Sequence, residues 1–308
     1  VSALPLAPPL LAFALAPLLA GVVQRTKARV AGRRGPPLLQ LYFDLAKLLR
    51  KGAVFSRTTT WLFRAGPVAS AACVGVAALL VPLASIAAPV SFSGDLVALV
   101  GALALLRFAT VLAALDTGSA FEGAGASREA SFASFAEPAL LLALAALARA
   151  TQGFSLTAMS AGVTPELWVA QGPALALLVA TLALVCLAEN GRIPVDDPAT
   201  HLELTMVHEV MVLDHGGPDL ALIEWAKAVR LWLLSALLVD VAVPVRSGAP
   251  LADLAAALAG MAGVGVAIGL VESAMARLRL ARVPQLLVAA SSLAALGAIL
   301  LLRGGPGA

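Results

Sequence analysis

Between residues 189 and 219 the sequence holds seven carboxylates (Glu189, Asp196, Asp197, Glu203, Glu209, Asp214, Asp219) and all three histidines, with apolar runs on either side. Carboxylates exchange protons near neutral pH when burial raises their pKa and neighbouring cations lower it. Other ionisable residues fall inside or at the ends of apolar runs: Arg107, Asp116, Glu137, Glu224, Lys227, Arg230, Asp240 and Glu272. A charge at a bilayer centre costs at least about 2.5 kcal/mol, so such residues are expected to face a bundle interior or a water-filled cavity. The acids Asp116, Glu137, Glu189, Asp196, Glu203, Glu209, Glu224 and Glu272 are therefore read as a proton-accessible path. The competing reading is that basic neighbours neutralise each acid. Glu224 has Lys227 three residues on, and Arg107 can reach Asp116 or Glu137. For Asp240 neutralisation is the stronger reading, since that residue can reach the far interface.

Other chemistries find little support. His201, His208 and His215 recur every seven residues, too far apart for a zinc pair on adjacent turns, and His208-Glu209 does not continue as HExxH. The histidines read instead as polar loop residues that contact a partner or assist protonation. The two cysteines, Cys73 and Cys186, lie far apart in apolar runs and offer no site for structural zinc or an iron–sulfur cluster. No nucleophile elbow, P-loop or dinucleotide fingerprint occurs, and the glycines 260, 263, 265 and 269 lie within an apolar span.

The elements that must position these residues are membrane helices. The chain is 60% hydrophobic and only 13% charged, with a mean hydropathy of +0.95. Soluble domains carry about a quarter charged residues, so the composition predicts an all-α polytopic membrane protein. Apolar runs at 3–23, 66–88, 95–115, 131–150, 168–190, 221–244, 251–272 and 284–302 give eight spans in a single membrane domain over residues 1–308. The connections at 24–65, 116–130, 191–220 and 273–283 then share one side. Residues 24–65 alone hold ten of the 21 Lys and Arg residues, which places that side in the cytoplasm and both termini outside. The first run lacks a preceding basic residue and reads as a retained span rather than a cleaved signal. Leu38, Leu39, Leu41, Tyr42, Leu45, Leu48 and Leu49, interleaved with Asp44, Lys47, Arg50 and Lys51, have the spacing of an amphipathic interfacial helix. The basic connection is a topology anchor or a partner surface; it carries no nucleic-acid module, and lipid or protein suits it better.

Two of these connections carry a family resemblance. The run Glu189-Asn-Gly-Arg192-Ile-Pro194-Val-Asp196-Asp-Pro198, followed by Glu203-Leu204, resembles a loop of the membrane-anchor subunit shared by respiratory complex I, where it is NADH-quinone oxidoreductase subunit 1, and group 4 membrane-bound hydrogenases. Gly32-Arg33-Arg34-Gly35-Pro36-Pro37-Leu-Leu-Gln40, continuing through Asp44 and Lys47, is similar to that family's first cytoplasmic loop. Arg128 and Phe135-Ala136-Glu137 look like its third connection and the Ser-Tyr-Glu that follows, and Glu224-Trp225 like its acidic-aromatic pair. The resemblance covers nearly the whole chain.

Where the complex I version has Glu-Ala-Glu-x-Glu, this chain reads Ala199-Thr200-His201-Leu202-Glu203, which weakens a quinone site and points to the hydrogenase-4 and formate hydrogenlyase branch. The resemblance implies a non-catalytic membrane subunit in a bacterial or archaeal cytoplasmic membrane, carrying no cofactor itself. The nickel–iron centre and iron–sulfur clusters would sit on large and small partner subunits, and antiporter-like membrane subunits would lie alongside. Arg33, Arg34, Asp44, Lys47, Arg128, Arg192, Asp197, His201, His208, Lys227 and Arg230 would form the loop network and docking surface. The alternatives are a complex I subunit enclosing part of a quinone site and, from another class, a stand-alone transporter or channel. No internal repeat of the kind common in transporters relates the two halves.

Overall fold

A computed structural model describes residues 4–197, 206–244 and 246–303. Ten α-helices follow in order: α1 (Ala7–Val30), α2 (Gln40–Leu49), α3 (Trp61–Leu80), α4 (Asp95–Asp116), α5 (Ala120–Thr151), α6 (Leu156–Gly162), α7 (Pro165–Glu189), α8 (Gly217–Ala242), α9 (Pro250–Ala274) and α10 (Val283–Arg303). Short 3-10 turns occupy Leu4–Leu6, Val210–Val212 and Leu280–Arg282, and no strand occurs among the described residues. Seven stretches, within α1, α3, α4, α5, α7, α9 and the 280–302 region, are long and apolar enough to cross a bilayer. The eighth long helix, α8, is interrupted by Glu224, Lys227, Arg230 and Asp240, yet its 26 residues reach about 39 Å. The protein is an all-α, multi-pass membrane protein.

α8 is the axis of the bundle. It packs against α1, α2, α3, α7 and α9, and from Ala228 to Val239 every residue is buried. α3 pairs with α4, while α5 sits against α4, α7 and α10. Large apolar side chains such as Leu10, Val68, Val97, Leu105, Phe108 and Leu302 are exposed on the outside of the bundle. In water that surface would drive aggregation, whereas lipid or a neighbouring subunit solvates it.

Helix starts follow local sequence. The Thr60 side chain accepts from the Leu62 amide at the head of α3, and Thr164 accepts from Leu167 at the head of α7, where Pro165 occupies the first turn. α7 kinks at Gln171, two residues before Pro173, because proline cannot donate to the preceding turn and clashes with it. α2 forms where the amphipathic spacing predicts it and lies across α1 and α8, with the Tyr42 hydroxyl donating to the Ala14 carbonyl. Gly21 allows this approach. A Cβ there would stand 2.1 Å from the Leu38 carbonyl oxygen, so any side chain would push the start of α2 off α1.

The spans differ from their expected limits in two places. α3 runs over 61–80 rather than 66–88; residues 81–94 form an irregular link with a single bridge between Leu83 and Ile86. More consequentially, the connection expected at 116–130 is mostly helix. α5 begins at Ala120 and buries Glu122, Gly125, Ala126, Glu129, Phe132 and Ala136 along one face. Gly125 belongs in this helix because Val210 and the Val207 carbonyl pack directly on it, at 2.3 and 3.0 Å from where a Cβ would be.

Candidate functional site: a buried ion cluster at one end of the bundle

The charged residues gather at one end of the bundle. Arg107, just past the middle of α4, is buried, and its guanidinium meets three carboxylates from two other helices: Glu129 at 2.9 Å and Glu137 from α5, and Glu189 from α7. Glu129 and Glu189 are buried, whereas the Glu137 side chain stays about one third exposed on the flank of α5. Arg230 of α8 lies buried within electrostatic reach of Glu129 and Glu189. Arg107 was expected to pair with Asp116 or Glu137; it takes Glu137 and leaves Asp116.

Asp116 has another task. At the last residue of α4 it accepts hydrogen bonds from the Thr60 amide (2.6 Å), the Thr60 hydroxyl (2.7 Å) and the Phe63 amide (3.2 Å). It therefore caps the N-terminus of α3, where a carboxylate complements the helix dipole, and lies apart from the Arg107 cluster.

A second group sits on the first turns of α8. Lys227 Nζ reaches Glu224 at 2.8 Å and Glu209 at 3.0 Å, so the pair expected within α8 is extended by an acid of the loop. Trp225 turns the other way. Its indole packs on Phe13 with ring centroids 5.3 Å apart and donates to the Phe13 carbonyl, which anchors α8 to α1 and leaves Glu224 on the polar side. Glu272, wholly buried near the end of α9, takes Lys27 at 2.7 Å and Arg192 at 3.4 Å.

Asp196 joins the two described stretches of the connection between α7 and α8, residues 190–197 and 206–216. Its carboxylate accepts from the amides of Val207 and His208, both at 3.1 Å, and pairs with Arg277 at 3.2 Å. Burial pushes this carboxyl up, but His208, the amide hydrogen bond and Arg277 outweigh it and hold Asp196 below the usual carboxylate range. The Leu278 amide donates to the Pro194 carbonyl, so the α9–α10 connection clasps the same loop. Arg128 adds a hydrogen bond to the Met206 carbonyl at 2.8 Å. His208 lies between Asp196 and Glu129, seated over Gly191, whose φ of +56° suits glycine and whose Cβ position is 2.6 Å from the imidazole. Farther along, His215 is buried and stacks on Phe63 with ring centroids 3.9 Å apart; burial pushes its imidazole down to about 4.

Two cavities link these groups. A cavity of about 400 Å³ between α1, α2, the turn after α7 and α8 is lined by Gln24, Asp44, Arg192, Glu209, Glu224 and Lys227. A smaller one, about 30 Å³, is lined by Arg107, Glu129, His208, Lys227 and Arg230 and has room for a water molecule. Lys227 faces both. Acids and bases therefore line both cavities, with Lys227 shared between them, and Arg107 joins Glu129 at the smaller one to Glu137 on the flank of α5.

Of the residues expected to act, Glu137, Glu189, Asp196, Glu209, Glu224 and Glu272 come to this end of the bundle, with Arg192, His208, Lys227 and Arg230 between them. Arg33, Arg34 and Lys47 are exposed on the first connection and on α2, apart from the cluster. Asp44 lines the larger cavity. Asp197 is half-buried beside Asp196. Glu203 and His201 lie outside the described residues. Sequence reasoning missed Glu129, placed in a supposed loop, and the central position of Arg107. Among the described residues, no set of three His, Cys, Asp or Glu side chains comes together in a way that could hold a metal ion.

Among the described residues, long apolar helices gathered around a buried ionic cluster define an integral membrane protein. The sequence matches the NADH dehydrogenase family over residues 4–303, and the chain belongs to that family, the subunit 1 type. It is 31% identical to formate hydrogenlyase subunit 4 of Escherichia coli over 92% of each chain. It is also 33% identical to hydrogenase-4 component C of the same organism over 75% of this chain and 71% of that one. Its fold matches a chain of the membrane-bound sulfane sulfur reductase, an archaeal respiratory membrane complex, with a TM-score of 0.80 at 20% identity over 97% and 98% of the two chains.

Proposed function

We propose that this chain is the membrane subunit of a respiratory-type nickel–iron hydrogenase complex, of the hydrogenase-4 and formate hydrogenlyase kind. In this reading it seats a soluble redox arm on the cytoplasmic end of the bundle, through residues 24–65 and 191–220, and couples electron transfer in that arm to proton movement. The redox centres sit on the partners, and antiporter-like subunits take up the protons beside α5. The observation that carries the reading is the run of ionisable groups from the 400 Å³ cavity through Glu224, Lys227, His208 and Glu129 to Glu137.

The path stops within this chain. Beyond Arg230 the residues of α8 are apolar and buried, apart from Ser235, until Asp240, about 15 Å further on. Asp240 pairs with Arg246 at 2.7 Å and accepts from Ser160 at 2.8 Å, in keeping with a neutralised acid at the far end. A stand-alone channel or transporter would need polar groups or water across that stretch.

The test uses membrane vesicles holding the assembled complex, with reduced methyl viologen as electron source, and compares proton movement with hydrogen formed. Glu137→Gln and Glu224→Gln are each expected to go on forming hydrogen while moving at most about half the protons per electron. Full coupling in both variants would reject the reading. The larger cavity also has the size of a small-molecule site, about 300–1,000 Å³. This supports a second reading, in which the chain encloses part of a quinone site as in complex I; quinone-dependent turnover blocked by a quinone-site inhibitor would separate the two.

A further inference from the structure

His208 occupies a place that neither acid system accounts for alone. Nε2 stands 3.2 Å from Glu129 of the buried cluster and Nδ1 stands 3.5 Å from Asp196 of the loop. Both nitrogens are buried, yet neither completes a hydrogen bond with the described residues. The ring therefore lies at ion-pair distance from two carboxylates at once, one beside each nitrogen. The charged groups facing it are Glu129 from α5, Arg107 from α4, Lys227 and Arg230 from α8, and Asp196 from the loop.

A charge count around the ring leaves a gap. Asp196 is matched by Arg277. Lys227 serves Glu209 and Glu224, and the surplus acid there is offset across the larger cavity by Lys27 and Arg192, which share Glu272. Arg107 and Arg230 remain against Glu129, Glu137 and Glu189. Glu137 is about one third exposed, so this surplus negative charge is only partly buried, and a positive charge on His208 beside Glu129 would offset it.

We propose that His208 is a positioning residue whose protonation ties Asp196 and the 206–213 segment to the membrane cluster. As an imidazolium it bridges Glu129 and Asp196 and supplies the missing charge. When the imidazolium gives its Nδ1 proton to solvent, the ring keeps its Nε2 proton toward Glu129 and turns a lone pair toward the Asp196 carboxylate. Asp196 then faces a lone pair where it faced a cation, so its hold beside the Val207 and His208 amides is weakened and the segment is released. Only a proton changes place. The inference rests on the proton-coupling reading above and gives that reading its connection between the loop beneath the redox arm and the acids in the bundle.

The test measures amide hydrogen exchange of the assembled complex by mass spectrometry, in peptides covering residues 206–213, after correction for the intrinsic pH dependence. If one proton controls the clamp, protection falls roughly tenfold per pH unit above the pH at which the imidazolium deprotonates. His208→Gln is expected to remove that dependence and leave the segment poorly protected, whereas His208→Lys, with a lasting charge, keeps it protected at all pH values. Glu129→Gln, which removes one pole of the bridge, moves the midpoint to lower pH. Protection in His208→Gln that follows pH as in the wild type would overturn the inference, as would an unmoved midpoint in Glu129→Gln. Loss of coupling in Glu137→Gln with full coupling in His208→Gln would also overturn it, while leaving the broader reading intact. Full coupling in Glu137→Gln and Glu224→Gln would remove the broader reading, while the exchange result would still decide whether His208 is the clamp.

Discussion

Replacing Arg107 with methionine is expected to destabilise the protein by about 3–5 kcal/mol, the cost of breaking a buried ion pair from one side. The reason is geometric. Arg107 is the shared partner of Glu129, Glu137 and Glu189, two of which are buried, and among the described residues the only other ion pair of the three is that of His208 with Glu129. A methionine would leave these acids to protonate or to draw water into the bundle. Two further variants separate charge from packing. Arg107→Lys keeps the charge but cannot fork to three acids, so it should recover only part of the loss. Arg107→Met combined with Glu129→Gln and Glu189→Gln removes acid and base together and should recover most of it. The measurement is the unfolding midpoint of purified protein in detergent. A triple variant as unstable as Arg107→Met alone would mean that arginine packing, not charge pairing, holds this region.

The second large effect concerns acid. His215 is buried against Phe63, and its imidazole takes a proton only near pH 4, against 6.5 in an unfolded chain. The unfolded chain therefore binds more protons between these values, so stability is complete above about pH 6.5 and is lost as pH falls through 4. A displacement of this size is worth on the order of 3 kcal/mol. The unfolding midpoint should drop over this window in the wild type, and the drop should be smaller in His215→Phe, which can keep the stack on Phe63 without taking a proton. Equal pH dependence in the two proteins would show that other groups set the acid limit. This effect opposes that inferred for His208, whose protonation tightens the loop, so the two histidines can be told apart by sign.

The parts of this structure that sequence could reveal are those set by local pattern. Apolar runs of about 20 residues gave away the spans, because a bilayer demands them whatever the tertiary packing. The alternation of leucines with Asp44 and Lys47 was enough for α2. The opening of α5 was hidden, since Gly118, Gly123, Gly125 and Ser127 look like loop residues; Gly125 is helical only because Val207 and Val210 press on it from a segment more than 80 residues later. A helical spacing was nevertheless present in Glu122, Ala126, Glu129, Phe132 and Ala136, and it would have brought Glu129 to notice. The partners of Arg107 lie 22, 30 and 82 residues away, and no local spacing encodes them. Asp116 seemed a relay acid because it ends an apolar run, but its carboxylate is spent on a helix start 56 residues earlier.

The central claim is that acids at this end of the bundle change protonation in step with electron transfer. Redox-triggered infrared difference spectroscopy of the assembled complex observes this directly, because a carboxylic acid and a carboxylate absorb in separate regions. On reduction we expect bands from protonated carboxyl groups to appear or disappear, and a defined part of that signal to vanish in Glu137→Gln and in Glu129→Gln. A complex that moves protons during turnover while its difference spectrum contains no carboxyl change sensitive to either substitution would contradict the claim.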